Sequence, residues 1–119
     1  MTVTRGDVYL AEYGDAYGSE QGGKRPVLIL QNDIGNRYSP TVICAAITSR
    51  KNKTKLPTHV RVALPWSGGN AVESIVLLEQ IKTLDKTRLN SKLCHLGDKM
   101  MDDVNTALEV SVGLPAHSF

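Results

Sequence analysis

The segment that decides the fold is residues 41–48, TVICAAIT, an apolar run that begins and ends with a β-branched threonine. Apolar runs of this length, rich in β-branched side chains, are typical of β-strands. Upstream, Pro26 opens the apolar run VLILQ, which suits a strand buried on both faces, and proline is tolerated at the first position of a strand. We therefore expect one strand beginning at Pro26 and another ending at Thr48.

On the N-terminal side, residues 7–13 (DVYLAEY) are rich in β-formers and predict a first strand. Residues 16–24 (AYGSEQGGK) contain three glycines and predict a flexible loop. Residues 32–39 (NDIGNRYS) are polar and predict a turn between the two apolar runs.

On the C-terminal side, residues 49–56 (SRKNKTKL) carry four basic side chains and predict an exposed loop before the strand-like residues 58–64 (THVRVAL). Residues 74–84 (SIVLLEQIKTL) predict a further strand, whose apolar run is interrupted by Glu79 and Gln80. Polar groups inside such a strand must find hydrogen-bond partners or face a cleft.

The last third of the chain changes to a helical period. From Asp98 onward, apolar side chains recur at steps of three and four residues, and Gly113 and Pro115 mark the end of the predicted helix. The apolar positions are Met100, Met101, Val104, Ala107 and Leu108. Several short strands followed by one amphipathic helix favour a mostly β, barrel-like α+β fold over a doubly wound one.

Length and composition limit the possible classes of protein but do not indicate a function. A length of 119 residues predicts one domain, residues 1–119. Fourteen Lys and Arg against twelve Asp and Glu leave a net charge of +2, too small to indicate nucleic-acid binding by bulk charge. The chain has neither a basic N-terminal region followed by a long apolar stretch nor a membrane-length apolar run, so we expect a cytoplasmic protein without a membrane partner.

Two positions could carry chemistry. Arg25 lies where the glycine-rich loop meets a strand, and a guanidinium held there can bind two oxygens of a phosphate; the alternative is a surface arginine without a role. Thr48 could donate a hydrogen bond to a phosphate or only complete a turn.

Other catalytic patterns are missing from the sequence. Residues 18–26 (GSEQGGKRP) lack the order of a P-loop, and no Gly-x-Ser-x-Gly or Gly-x-Gly-x-x-Gly motif occurs. The three histidines, His59, His95 and His117, and the two cysteines, Cys44 and Cys94, have no metal-binding spacing. We therefore expect no metal and no cofactor, with the cysteines as buried free thiols, and these local patterns leave the function open.

Five ordered blocks nevertheless resemble one family. RGDVYLAEY, GSEQGGKRPVLILQND, SPTVICAAITS, KLPTHVRV and SIVLLEQIKTLDKTRL are similar to the MazF/PemK toxins, above all to the EndoA type of Gram-positive bacteria, and the likeness continues more loosely into the C-terminal helix. The resemblance implies an SH3-like barrel that forms a homodimer, cuts single-stranded mRNA and is neutralised by a cognate antitoxin. Residues 63–72 (ALPWSGGNAV), with Trp66 and a turn-like WSGGN, depart from the family pattern.

The resemblance also implies roles for individual residues. The arginine of the GG-x-RP motif and the threonine that closes the AAIT strand are catalytic in such toxins, which implies Arg25 and Thr48 here. The implied RNA-binding residues in the family pattern are Ser19, Glu20, Gln21, Ser74, Glu79 and Gln80. To these we add Tyr17 as a stacking partner for bases, and Arg50, Lys51 and Lys53 as contacts to the RNA backbone.

The implied reaction is attack of an RNA 2′-hydroxyl on the adjacent phosphate at a short U/A-rich motif, without metal or ribosome. It leaves a 2′,3′-cyclic phosphate and a 5′-hydroxyl.

Two other classes of protein stay open at this point. Related barrels bind DNA gyrase through an apolar C-terminal end with tryptophan, whereas this chain ends PAHSF. The other alternative is an RNA-binding module of the same fold without catalysis, which intact Arg25 and Thr48 disfavour.

Overall fold

We describe residues 2–49, 54–65 and 70–115 of a computed structural model of the chain. The predicted RNA contacts Arg50, Lys51 and Lys53, as well as Trp66, lie outside these residues. The elements in chain order are β1 Asp7–Glu12, β2 Lys24–Ile29, α1 Asp33–Tyr38, β3 Thr41–Thr48, β4 His59–Pro65, β5 Ala71–Asp85, a 3₁₀ turn Lys86–Arg88, β6 Leu89–His95 and α2 Asp98–Val112.

The strands form one curled antiparallel sheet in the order β4-β5-β3-β2-β1-β6. The apolar run TVICAAIT is β3, which lies between β2 and β5 and pairs with both. Helix α2 packs on β4 and β5 through its buried residues Met101, Val104 and Ala107. The prediction of a mostly β, barrel-like α+β fold with a C-terminal helix is confirmed, and the sheet is a curled half-barrel.

Most predicted elements lie within a few residues of the observed ones, with two corrections. Residues 32–39 are not a turn: they contain helix α1, whose first turn is capped by Asn32, because its side chain accepts a 2.8 Å hydrogen bond from the N–H of Gly35. Pro26 does not open its strand but is the third residue of β2, where it lies opposite Leu10 of β1. Pairing of β2 with β3 begins only at Val27, so the N–H that proline lacks is not part of that pairing.

The register between β3 and the longest strand, β5, shifts within their pairing. Ala45 lies opposite Ile81, but the next residue, Ala46, lies opposite Leu77. Residues 78–80 therefore have no partner in β3, and this segment, which we call the β5 bulge, contains the polar pair that interrupts the apolar run. Bulges of this kind bend a strand and are frequent beside functional sites.

Apolar side chains fill both faces of the sheet. One cluster contains Ala45 and Ile47 of β3 together with α2, and the other contains Val42, Cys44 and Ala46. Alternate residues of β3 thus point into two different cores, as the period of a strand requires. Both cysteines are free thiols; Cys44 is buried, which raises its pKa to about 12, whereas Cys94 is only partly buried.

Asp7 is a fully buried carboxylate at the start of β1. It accepts hydrogen bonds from Nδ1 of His95 at 2.7 Å and from the backbone N–H of Thr4 at 2.9 Å, and the ammonium of Lys92 lies 3.2 Å away. Burial by itself would raise the pKa of Asp7, but these donors together lower it below its ordinary value. The ionised side chain therefore ties the edge strand β6 to the N-terminal segment.

We predict that Asp7→Asn lowers the free energy of unfolding by about 1–3 kcal/mol near neutral pH, because the buried amide carries no charge and presents an NH₂ donor where three donors need an acceptor. Since the folded-state pKa of Asp7 is depressed, its contribution is present above the unfolded-state pKa and is lost as pH falls through the folded-state value. Urea unfolding near pH 7 and near pH 3 tests this prediction. The difference in free energy of unfolding between Asp7→Asn and wild type should be smaller near pH 3 than near pH 7, whereas the exposed control Asp103→Asn should change stability little at either pH. An equal difference at both pH values would contradict the prediction.

Candidate active site

Arg25 and Thr48 are brought together by strand pairing. Val27 of β2 lies opposite Ala46 of β3, two residues away from Arg25 on one strand and from Thr48 on the other. Nη1 of Arg25 also reaches the carbonyl of Ile47, the residue before Thr48. Two residues that lie 23 positions apart in the chain are therefore close together at one end of the sheet.

The guanidinium of Arg25 is held by backbone carbonyls. Its Nε donates a 2.8 Å hydrogen bond to the carbonyl of Gly22, and its Nη1 donates a 3.2 Å bond to the carbonyl of Ile47. Because a guanidinium is planar, two fixed N–H groups fix the orientation of the whole group. The side chain is half-buried, whereas Thr48 is only 4% exposed.

Residues 13–23, which we call the active-site loop, form a polar cleft in front of Arg25. The neck of the loop is closed by a 2.9 Å bond from the N–H of Tyr13 to the carbonyl of Gly23, and by a 2.7 Å bond from the N–H of Gly23 to the carbonyl of Gly14. The cleft is lined by Ala16, residues 18–22 and Arg25. Glycine is required at position 22, because a Cβ there would lie 2.4 Å from the backbone nitrogen of Ala16.

Gln80, in the β5 bulge, holds the active-site loop from the other side. Its side-chain Nε2 donates to the carbonyl of Ser19, and its Oε1 accepts from the N–H of Gln21, both at 3.3 Å. The predicted site residues Ser19, Glu20, Gln21 and Gln80 are thus gathered around one loop. Both polar atoms of the Gln80 amide are therefore already hydrogen-bonded to that loop.

Tyr13 and Lys82 strengthen the same anchor, and neither was predicted from the sequence. The Tyr13 hydroxyl donates a 2.7 Å bond to the carbonyl of Gln80, while the Lys82 ammonium donates a 2.7 Å bond to the carbonyl of Tyr13 and lies 5.1 Å from the centre of its ring. Burial raises the pKa of Tyr13, so the hydroxyl keeps the proton that it donates. The sequence offered one weak signal, an aromatic residue directly before a glycine-rich loop.

Glu79 is hydrogen-bonded to the first residue of β4 and to the residue before it. Its carboxylate lies 2.9 Å from Nε2 of His59 and accepts a 3.0 Å bond from the Thr58 hydroxyl. Nδ1 of His59 accepts from the N–H of Leu56 at 3.3 Å, which leaves Nε2 as the ring nitrogen that donates to Glu79. Burial alone would raise the pKa of Glu79, but the bonds from His59 and Thr58 lower it below its ordinary value.

Two other predicted RNA contacts lie apart from this group. Ser74 is 1% exposed and donates to the carbonyl of Val72 at 3.1 Å. Since Ile75 is opposite Thr48, alternation along β5 directs Ser74 to the other face of the sheet. Tyr17 is 83% exposed at the tip of the active-site loop, where an aromatic ring is open to stacking.

Across the described ranges 2–49, 54–65 and 70–115, His, Cys, Asp and Glu side chains form no group of three that could hold a metal ion. In those same ranges, no helix is long and apolar enough to cross a membrane.

Comparison with known proteins identifies the family. Residues 4–112 match the family described as PemK-like, MazF-like toxin of type II toxin-antitoxin system. The chain is 56% identical to the endoribonuclease EndoA of Bacillus subtilis, over 96% of this chain and 97% of the relative. It is 58% identical to the endoribonuclease MazF of Staphylococcus saprophyticus, over 94% and 92% of the two chains.

The chain belongs to the PemK/MazF toxin family. The solved structures that it matches agree with this assignment. An endoribonuclease in complex with its cognate antitoxin, from a mycobacterial species, is 31% identical with a TM-score of 0.73, over 95% of this chain and 97% of that one. MazF from Deinococcus radiodurans has a TM-score of 0.75 at 24% identity, over 96% and 99% of the two chains, a likeness in fold. The prediction of an endoribonuclease toxin is thereby confirmed at the level of the family.

We predict that Tyr13→Phe loosens the active-site loop of this PemK/MazF toxin, because the Gln80 carbonyl loses its hydroxyl donor. Amide hydrogen exchange measured by mass spectrometry should rise across residues 14–23 while β3 stays protected. The matched control is Tyr9→Phe, which removes only a long 3.4 Å bond from a tyrosine packed in the same core. Unchanged exchange in the loop of Tyr13→Phe, or the same increase in Tyr9→Phe, would refute the anchoring role.

Proposed function

We propose that this toxin cleaves single-stranded mRNA at a short U/A-rich motif, with neither a metal ion nor the ribosome. The observation that carries the proposal is the fixed guanidinium of Arg25 at a polar cleft, beside Thr48 on the neighbouring strand. Membership of the PemK/MazF family and the two relatives named as endoribonucleases support RNA as the substrate.

In the proposed reaction, the 2′-oxygen of the nucleotide before the scissile bond attacks phosphorus and loses its proton. The bond from phosphorus to the 5′-oxygen breaks, and that oxygen takes up a proton. The products are a 2′,3′-cyclic phosphate and a 5′-hydroxyl. DNA lacks the attacking oxygen and is therefore not a substrate.

Arg25 is proposed to stabilise the negative charge that develops on the phosphate oxygens during this attack. Its orientation is set before substrate binds, so little reorganisation is needed when charge develops. An arginine side chain stays protonated at any physiological pH, which makes it an electrostatic group and a poor carrier of protons. Thr48 is proposed to add a hydrogen bond to the same phosphate.

The active-site loop is proposed to read the bases. Ser19, Glu20 and Gln21 line its cleft, and Gln80 borders the same space. Bases of a single strand expose polar edges that backbone and side-chain groups of this kind can bind, and Tyr17 offers a ring for stacking. We also propose a contact from Glu79, and salt-dependent contacts to the RNA backbone from Arg50, Lys51 and Lys53. The buried side chain of Ser74, which was expected to contact RNA, is not part of the proposal.

We further propose that the toxin acts in the cytoplasm as a homodimer and is neutralised by a cognate antitoxin. The mycobacterial relative that was solved with its antitoxin supports the last point. An acidic, disordered antitoxin segment that folds along the same groove would exclude RNA by competition.

We predict that wild type cleaves a long single-stranded RNA in excess EDTA, and that Arg25→Ala lowers the rate by about two to three orders of magnitude. Arg25→Lys should restore only part of the rate, because an ammonium keeps the charge but not the planar fork. Thr48→Val, which keeps the shape and removes the hydroxyl, should also be impaired. The control is Arg37→Ala, which removes an exposed arginine from α1, at the other end of the sheet.

Mapping the RNA ends completes the test. Cleavage at a recurring motif, with 5′-hydroxyl ends and no cutting where the 2′-hydroxyl is replaced by hydrogen, is the expected result. Thermal unfolding should show that each variant is folded. A folded wild type that leaves RNA intact in EDTA, or an Arg25→Ala variant of full activity, would overturn the proposal.

A further inference from the structure

The polar cleft at Arg25 does not end at the active-site loop. A second cleft lies between the loop and the β5 bulge, and it shares Glu20 and Gln21 with the first. A third, which we call the strand-end cleft, shares Lys82 with the second. The strand-end cleft is lined by Gly14, Asp15, Lys82, Thr83, Leu84 and Arg88. The three clefts thus follow one another around the loop, each sharing at least one lining residue with the next, and we call this series the cleft path.

The balance of charged side chains differs along this path. The first cleft has Glu20 against Arg25, and the second has Glu20 and Glu79 against Lys82, whereas the strand-end cleft has two cations, Lys82 and Arg88, against one carboxylate, Asp15. The nearby carboxylate of Asp85 accepts bonds from the backbone N–H and hydroxyl of Thr87, at 2.9 and 2.7 Å, and interacts electrostatically with Arg88. Of the three linings, that of the strand-end cleft is therefore the one in which cations outnumber carboxylates, which favours an anion there.

The two cations of the strand-end cleft are on different elements. Lys82 is held at the neck of the loop by its bond to the Tyr13 carbonyl, whereas Arg88 lies beyond the end of β5, on the 3₁₀ turn. At about 3.3 Å per residue, the stretch of β5 from Gln80 to Leu84 extends roughly 13 Å. An occupant that reaches from the bulge to Arg88 must therefore be extended, with its negative charge at the strand-end cleft.

We propose that the strand-end cleft binds the phosphodiester backbone of RNA outside the cleaved motif. The proposal rests on the proposed function, because the strand that enters the cleft is the continuation of the substrate. Exposed cations and the Thr83 hydroxyl bind phosphate oxygens without reading bases, so the contact is independent of sequence and sensitive to salt. The subsite favours motifs embedded in long RNA over the same motif in a short oligonucleotide.

Arg88→Gln tests the proposal, since Arg88 is exposed, belongs to the 3₁₀ turn Lys86–Arg88 and does not line the cleft at Arg25. The substrates are the mapped motif without flanks, and the same motif with a flank of mixed sequence on the 5′ side or on the 3′ side. Wild type should cleave one flanked RNA with a higher kcat/KM than the bare motif. Arg88→Gln should lose about two- to fivefold of kcat/KM on that RNA and nothing on the bare motif.

Two further readouts separate a phosphate contact from a loss of fold. The slope of log Kd against log salt concentration should fall by about 0.7 for the flanked RNA, as expected for one contact to a single strand. A flank with uncharged methylphosphonate linkages should lower the activity of wild type and leave Arg88→Gln unaffected. The control Arg37→Gln removes an exposed arginine of α1 that does not line the strand-end cleft, and it should behave as wild type on every substrate.

The outcomes are distinguishable. If wild type cleaves flanked and bare RNA equally well, or if Arg88→Gln loses activity equally on both, the strand-end cleft does not bind the flank and the proposal fails. If wild type cleaves neither RNA, the proposed ribonuclease function fails, and this subsite fails with it.

Discussion

The structure depends on a mismatch in length between two paired strands. β5 has three more residues than β3 at the point where Ala45 and Ala46 pair with it, so residues 78–80 leave that pairing. Their backbone groups are satisfied from elsewhere: the N–H of Leu78 donates to the carbonyl of Thr58, its carbonyl accepts from the Ser111 hydroxyl, and the carbonyl of Gln80 accepts from Tyr13. One bulge is thus bonded to β4's leading segment, to α2 and to the active-site loop.

This bulge couples the fold to the site. It bends β5 within the curled sheet and presents Glu79 and Gln80 beside the loop that forms the cleft. The loop in turn supplies the Gly22 carbonyl that orients Arg25, while β3 supplies the Ile47 carbonyl. The position of the guanidinium is therefore set by two backbone carbonyls. Substituting a neighbouring side chain should move the guanidinium only if the substitution also moves the loop.

Local pairing stabilises two carboxylates of this chain. The carboxylate of Asp7 is held by His95, Lys92 and the Thr4 N–H, and that of Glu79 by His59 and Thr58. In both cases these partners lower the pKa below its ordinary value, so each carboxylate stays ionised although burial opposes it.

The sequence by itself determined β3, which is observed at its predicted bounds, and α2, which begins at Asp98 and ends before Gly113 as its pattern predicts. Strand alternation, helical period and capping glycines are local, so they can be recognised without knowing the partners. Only the tertiary structure decided that residues 32–39 contain a helix, that Ser74 is buried, and that Gln80 is bonded to the active-site loop. These outcomes depend on hydrogen bonds and packing between distant parts of the chain, such as the bond from Tyr13 to Gln80 across 67 residues, which no local pattern encodes.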